Sequence, residues 1–566
     1  MSTNTFLNFL FAIILTPLTS HALVDMRNAN FSDTWTDLQV KTSTFDLRVQ
    51  RTYNSRTLFN GIFGFGWCSE YETQLAITPE NSIRVTECGA GFETIYTRGG
   101  ESSSEYEKNI KAIMAEIRKR NRGRPESYFS SLENDIRIDT RLRDDFISQF
   151  KIASGKVAEN ARYIANGRSS DYITLSGGIY TRNLPNGSQQ KFNQNGRLTQ
   201  INDRNGNFIK IKYKDNKIVS AIDNTGASLQ FKYGSNSKFV SSVVGPGGLS
   251  ASYTYSGENL VSVTNAWKNT YRHEYDNLYN ITKVAYPDKT TIELTYDKDK
   301  DWVMSFKDRS GCKEVYKYTD NPKDPINNYG SSVVKTCGNK VTNKSEYEFW
   351  HKTKKDGTRY LARTRSVNNG KTVDTVYDES TGRPAEITQN GITSKFEYFP
   401  NGLMKKKVDP INIFAYKYEN PCNKVSEVMQ KVSYRLPEKP GQRKPSKVEN
   451  RIFTTEFRYD TKKCNLMAAK NSQGQTVELE YDLRGRITRI YDQSKKEVKI
   501  TYEERFGKPH IVTRPGLGTI KFKYKPDGSV EQFDSKDDPL VAVQVASIFS
   551  NLLEIIAPAT TDTNNI

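Results

Sequence analysis

The stretch YDNLYNITKVAYPDKTTIELTYD, residues Tyr275–Asp297, opens and closes on the same Tyr-Asp pair and carries two short apolar strings parted by Pro-Asp-Lys. Its closing string, Ile292, Leu294, Tyr296, alternates with Glu293 and Thr295, the period of two that puts one set of side chains on each face of a strand. The tyrosine recurs. Positions Tyr213, Tyr233, Tyr255, Tyr275, Tyr296 and Tyr318 follow one another at steps of 20, 22, 20, 21 and 22 residues, and the series resumes at Tyr377, Tyr398, Tyr418, Tyr459, Tyr481, Tyr502 and Tyr524. Such a period marks a repeat architecture.

Each unit carries a second apolar string ahead of the first, as in Leu198 to Ile201, Ile218 to Ile222, Leu260 to Val263 and Ile487 to Ile490, with turn formers such as DRNGN, DNTG and NSQGQ between. Each unit therefore reads as a β-hairpin. A lone hairpin cannot bury its apolar face, so consecutive hairpins are expected to pair edge to edge in one long antiparallel sheet, with Tyr233, Tyr296, Tyr481 and Tyr502 on the same inward face. Composition agrees: aromatic residues make up 11% of the 566, and 36 glycines serve many tight turns.

Residues 101–170 lose this pattern. Tyr106, Ile110, Ile113, Met114 and Ile117 follow helical spacing, Leu132, Ile136, Leu142, Phe146 and Phe150 suggest more helix, and Arg122 to Pro125 break it. At the N-terminus, the apolar run Phe6 to Leu15 followed by Pro17, Ser20 and Ala22 reads as a signal peptide cut after Ala22; the absence of Lys or Arg ahead of it leaves an uncleaved anchor as the alternative. No later segment holds 18 continuous apolar residues, so no transmembrane span is expected in the mature chain. The chain thus divides into a signal peptide (1–22), an N-terminal β segment (23–100), a helical insertion (101–170), a repeat sheet (171–534) and a C-terminal helix with a tail (535–566).

Six cysteines suit an oxidising compartment and fall in three local pairs, Cys68 with Cys88, Cys312 with Cys337 and Cys422 with Cys464. Six cysteines allow 15 connectivities, and six buried thiols are the alternative. The net charge of +18 is spread over outward strand positions, with a denser loop at Arg435 to Lys447. Such a surface attracts polyanions, including acidic polysaccharide, but no motif for specific nucleic-acid binding accompanies it. No catalytic, cofactor or metal residue is nominated. Of four histidines, His273 occupies an apolar-face position and reads as core, while His351 and His510 have no nucleophile nearby in sequence.

Units such as NGRLTQINDRNG and YDLRGRITRIYDQ, behind the segment FDLRVQRTYNSRTLFNGIFGFGWCSEYE (Phe45 to Glu72), resemble the YD repeats of the Rhs family of secreted bacterial proteins and the segment that precedes them. The resemblance rests on Arg51, Tyr53, Asn54, Gly64, Gly66 and Trp67 in that preceding segment and on the repeat tyrosines, among them Tyr233, Tyr275, Tyr296, Tyr481 and Tyr502. It implies a mainly β fold in which the repeats form a continuous sheet spiralling into a shell. The family's toxin-bearing members end in a self-cleaving core, whereas here Asp538 and Pro539 are followed by Leu540 and Val541 without a glycine-rich motif or toxin-sized domain. The expectation is a non-enzymatic protein of the bacterial envelope or exterior, needing no cofactor. The favoured role is binding acidic polysaccharide, other cell-surface glycans or another cell surface; the alternative is enclosing a separately encoded or lost cargo as a delivery shell, and a third reading is a hydrolase in the helical insertion.

Overall fold

The computed structural model describes residues 23–534 apart from 79–80, 89–92, 99–101, 153–155, 166, 236, 355–358, 436–447, 517 and 526–529. The expected signal peptide, the basic loop beyond Arg435 and the C-terminal segment with Asp538 and Pro539 lie outside the described residues.

Thirty-six strands, from Gln74–Ile77 to Val530–Asp534, join in one antiparallel sheet in which strands consecutive in the chain are neighbours. The alternation behaves as read: in Ser228–Tyr233 the side chains of Leu229 and Phe231 are buried while Gln230 and Lys232 are exposed. The same strict neighbour order holds through the long hairpin Asn328–Cys337 and Lys340–Thr353.

The repeat consensus has a local physical cause. In most units the tyrosine hydroxyl donates to a main-chain carbonyl fifteen residues earlier, at the start of the unit's first strand: Tyr213 to Leu198 at 2.8 Å, Tyr233 to Ile218 at 2.9 Å, Tyr296 to Ile281 at 3.0 Å, Tyr481 to Leu466 at 2.7 Å and Tyr502 to Ile487 at 2.6 Å. In several units the cation just ahead of that carbonyl lies over the same ring, as Arg197 over Tyr213 (5.7 Å), Lys217 over Tyr233 (5.2 Å) and Arg486 over Tyr502 (4.5 Å). The Asp that follows the tyrosine closes the next turn. Asp482 accepts from the amides of Arg484 and Arg486, both at 2.9 Å, and Asp276 from those of Leu278 and Asn280, both at 2.9 Å.

The ladder slips by one residue just before the tyrosine, between Lys212 and Tyr213, Lys232 and Tyr233, Glu480 and Tyr481, Thr501 and Tyr502. A bulge bends its strand and increases local twist, so one per hairpin curls the sheet steadily. The sheet accordingly closes on itself. At its start the Leu75 amide donates to Gly196 at 2.8 Å and Gln74 bridges Arg197, closing a tight coil of seven strands. Farther on, the turn at Gly167 meets those at Thr381 and Gly402, and the turn at Asn205 meets those at Asn465 and Gly485, contacts separated by 19 to 23 strands. At about 4.8 Å per strand this wider coil measures about 100 Å around and about 30 Å across between backbones.

The N-terminal β segment divides at Thr73. Residues 23–72 form a separate four-stranded sheet from Leu23–Asp25, Asn30–Val40, Leu47–Asn54 and Trp67–Ser69, whereas Gln74–Ile77, Ile83–Thr86 and Glu93–Arg98 already belong to the long sheet. The long sheet therefore begins at Gln74 rather than at residue 171. Three helices, Ser102–Arg120, Glu126–Ile138 and Thr140–Phe150, interrupt it and pack on a core of their own around Ile110, Ile113, Ile117, Phe129 and Ile136. No helix among the described residues is long and apolar enough to cross a membrane.

Candidate functional site

Residues 23–72 sit against the inward face of the repeats, and their apolar residues and those of residues 209–333 make one core. Aromatic pairs cross the boundary: Phe31 with Phe306, Phe63 with Tyr253, Tyr71 with Phe231 and Trp35 with His273. This small sheet is thus a plug seated on the inner wall of the coil.

Its centre is Arg51, fully buried, whose Nε donates to Asp37 Oδ2 at 2.5 Å and Nη2 to Oδ1 at 3.2 Å. The guanidinium lies 4.3 Å from the Trp67 ring and 5.5 Å from Trp35, and the repeat residue Tyr253 donates to Asp37 Oδ2 at 3.1 Å. Burial pushes the Asp37 carboxyl up from its ordinary value, against the pull of Arg51. The remaining residues of the plug's sequence signature span the same junction. The Tyr53 hydroxyl donates to the Tyr279 carbonyl at 3.1 Å and accepts from the Ile281 amide at 3.0 Å; the Trp67 indole donates to the Tyr275 hydroxyl at 2.9 Å, which itself donates to Leu260 O at 2.8 Å.

The loop between these groups needs its glycines. Gly64 (φ +98°) would put a Cβ 2.6 Å from the Glu258 carbonyl, and Gly66 (φ +78°) would put one 2.7 Å from the Tyr53 ring. Room saved this way lets Phe65 donate its amide to Glu258 at 3.0 Å and Ile62 accept from the Val240 amide at 2.8 Å. The Asn54 amide donates to Gly66 O at 2.9 Å and fixes the loop's stem.

Arg51, Tyr53, Asn54, Gly64, Gly66, Trp67 and Tyr275 therefore meet at one joint, and Tyr296 adjoins it through Ile281. Tyr233 is farther along the wall, and Tyr481 and Tyr502 lock hairpins packed in a separate core, whose turns meet the plug at Ser43, where Arg484 Nη1 donates to the Ser43 hydroxyl at 2.6 Å. Sequence reasoning missed Glu72, whose carboxylate accepts from the amides of Ile62 at 2.7 Å and Ser69 at 2.9 Å and so holds the loop from behind. Burial pushes its carboxyl up to about 7. Its sequence signal is the capping box Ser69-Glu70-Tyr71-Glu72.

The six cysteines pair as Cys68–Cys88, Cys312–Cys337 and Cys422–Cys464. His273 is buried edge-on to Trp35 and Trp67, and desolvation, then the charge of Arg51, hold its ring well below its ordinary pKa and neutral. Burial likewise lowers His351 to about 4. Outside, the cations stand in cross-strand rows with acids: Lys283 is 3.1 Å from Glu274, Lys307 3.4 Å from Glu293 and Lys495 2.7 Å from Glu478. No group of three or more metal-ligating side chains occurs among the described residues. The arrangement is a mechanical joint between a plug and a coiled wall.

The family profile described as "Domain of unknown function (DUF6531)" matches residues 22–91, the plug and the first strands of the long sheet. No curated protein matches. Among solved structures the chain is similar to a chain of the Photorhabdus luminescens Tc holotoxin pore carrying TccC3-D651A (12% identity, TM-score 0.38, 90% of this chain and 29% of that one) and to one in the TcdB2–TccC3–TEV crystal structure (11%, 0.29, 95% and 32%). A porin-like protein from Bacteroides uniformis is similar over 50% of this chain and 92% of its own, at 8% identity and a TM-score of 0.09. The chain spans about a third of the length of the first two. At these TM-scores the architecture rests on the strand ladder itself, one long antiparallel sheet coiled on itself.

Proposed function

We propose that this chain is a non-catalytic shell protein, acting outside the cytoplasm, whose coiled sheet encloses a separately encoded cargo. The observation that carries this reading is the seam: turns of one coil seat against turns of the next at Gly167 with Gly402 and at Asn205 with Gly485, so the sheet makes a wall around a space. The plug and the inward apolar and tyrosine face suit a container, and three disulfides suit an oxidising destination. Adhesion to acidic glycans ranks lower, because outward lysines are locally offset by glutamates on nearby strands.

The test is protease protection. The chain is isolated from envelope material of its producing cells and treated with protease before and after denaturation. A polypeptide other than the chain itself, resistant before and digested after, is the expected result. A chain that carries no protected polypeptide, together with small-angle scattering of a solid rather than hollow body, would overturn the reading.

A further inference from the structure

The three disulfides are placed differently with respect to the seam. Cys312 and Cys337 flank strands already paired residue by residue from Lys313 with Thr336 to Asp320 with Tyr329, so their bond repeats what the ladder does. Cys68, in the plug's strand Trp67–Ser69, is 5% exposed, so of that bond only the half-buried Cys88 offers a sulfur to solvent reagents. Cys422 and Cys464 are half-buried at a rim, in two loops that strand pairing does not hold.

Those loops bear directly on the seam. Cys464 precedes Asn465, 2% exposed, whose Nδ2 lies 3.5 Å from Oδ1 of Asn205 on the neighbouring coil. Asn205 also fills the space over Gly485, where a Cβ would fall 2.2 Å from Asn205 Cγ, and the Lys463 ammonium donates to the Leu483 carbonyl at 2.6 Å. The turn 203–207 is therefore wedged between the turns 460–465 and 482–486. Cys464 itself has φ +57°, a conformation a non-glycine residue adopts under local constraint. Its bond to Cys422 anchors it to a second loop, 418–426, built on Asn420, whose Oδ1 accepts from the amides of Cys422 (3.1 Å) and Lys424 (3.2 Å).

We propose that the Cys422–Cys464 disulfide is a reduction site for low-molecular-weight thiols, and that its reduction loosens the seam between coils. A small-molecule thiolate attacks one of the two sulfurs, the S–S bond breaks with release of the other as a protein thiolate, and a mixed disulfide forms; a second small thiolate attacks the small-molecule sulfur of that mixed disulfide and displaces the remaining protein thiolate, giving the oxidised small disulfide and two protein thiols that take up the two protons. The two electrons come from the small thiol, the chemistry a shell meets on passing from an oxidising exterior to a reducing cytosol. The inference rests on the shell reading for its purpose but on the seam alone for its mechanism.

The experiment uses the purified full chain and reduced glutathione. Differential alkylation and mass spectrometry follow each pair, while hydrogen exchange follows amides 203–207 and 482–486. Cys422–Cys464 is expected to be reduced before Cys68–Cys88, with exchange in both segments rising at least tenfold. The Cys422→Ser/Cys464→Ser variant should show that rise without thiol and no response to it, and Cys312→Ser/Cys337→Ser should leave seam protection unchanged. Should the first variant not fold, the glutathione titration of the natural chain decides. Reduction of Cys422–Cys464 with seam exchange unchanged, or reduction of Cys68–Cys88 first, overturns the proposal. Because no cargo enters the measurement, its outcome is independent of whether cargo is found.

Discussion

Replacing Tyr502 by Phe removes one hydroxyl from one repeat and leaves its ring beneath Arg486. The lost bond, from Tyr502 to the Ile487 carbonyl, is 2.6 Å long and fifteen residues in span, and the carbonyl is left without that donor. A net hydrogen bond contributes about 0.5–1.5 kcal/mol, and an acceptor stranded away from water adds to the loss, so about 1–2 kcal/mol is expected. In a repeat sheet each hairpin contacts mainly its neighbours, so this loss should appear as easier local opening rather than as global unfolding. Hydrogen exchange of the native chain measures it directly. Amides in Ile487–Tyr491 and Glu497–Tyr502 should exchange about 5–30 times faster, since 1.4 kcal/mol is about a factor of ten. Amides in Lys217–Asp223 and Ser228–Tyr233 should not change. Unchanged exchange around Tyr502, or an equal rise in both regions, would refute the claim that the tyrosine locks its own unit.

Arg51→Met should leave Asp37 buried without its ion-pair partner at a cost of about 3–5 kcal/mol, detaching the plug while residues 371–398 keep their exchange protection; loss of protection throughout would show that the plug is integral to the whole sheet. For Glu72 the folded carboxyl titrates near 7 against an ordinary 4.5, so the folded state holds the proton more tightly. Plug stability is then fullest below pH 4.5 and falls as pH rises through 7, and Glu72→Gln should flatten this slope in denaturant melts followed by tryptophan fluorescence. Lys289 occupies a turn position at φ +69° that other units give to glycine, so Lys289→Gly should stabilise by about 0.5 kcal/mol, read as an upward shift of the unfolding midpoint.

The hairpins are legible because their cause is local: the tyrosine, the carbonyl it reaches and the Asp that closes the next turn all lie within one period. Helices are legible for the same reason, as Ile110, Ile113, Met114 and Ile117 fall on one face and are buried together. The first strands of the long sheet, from Gln74 to Arg98, group in sequence with the residues before them because they lack the terminal tyrosine. Tyr377, which keeps the spacing, lies 3.3 Å from the Thr364 hydroxyl instead of bonding an earlier carbonyl, beside the lengthened strand Lys340–Thr353. The course of the coil is not legible from the residues. It depends on contacts such as Gly167 with Gly402, more than two hundred residues apart and made by turns whose sequences announce only that they are turns. The joint is half legible: the signature on the plug stands out, but its repeat-side partners, Tyr253, Leu260, Tyr279 and Ile281, look like any other unit.

The most direct measurement of the central claim is an electron-microscopy reconstruction of the purified chain. A closed wall about 30 Å across between backbones, with the plug inside it, is the expected result for a coil of about twenty strands. An open curved ribbon, with the turn at Asn205 apart from that at Gly485, would contradict it.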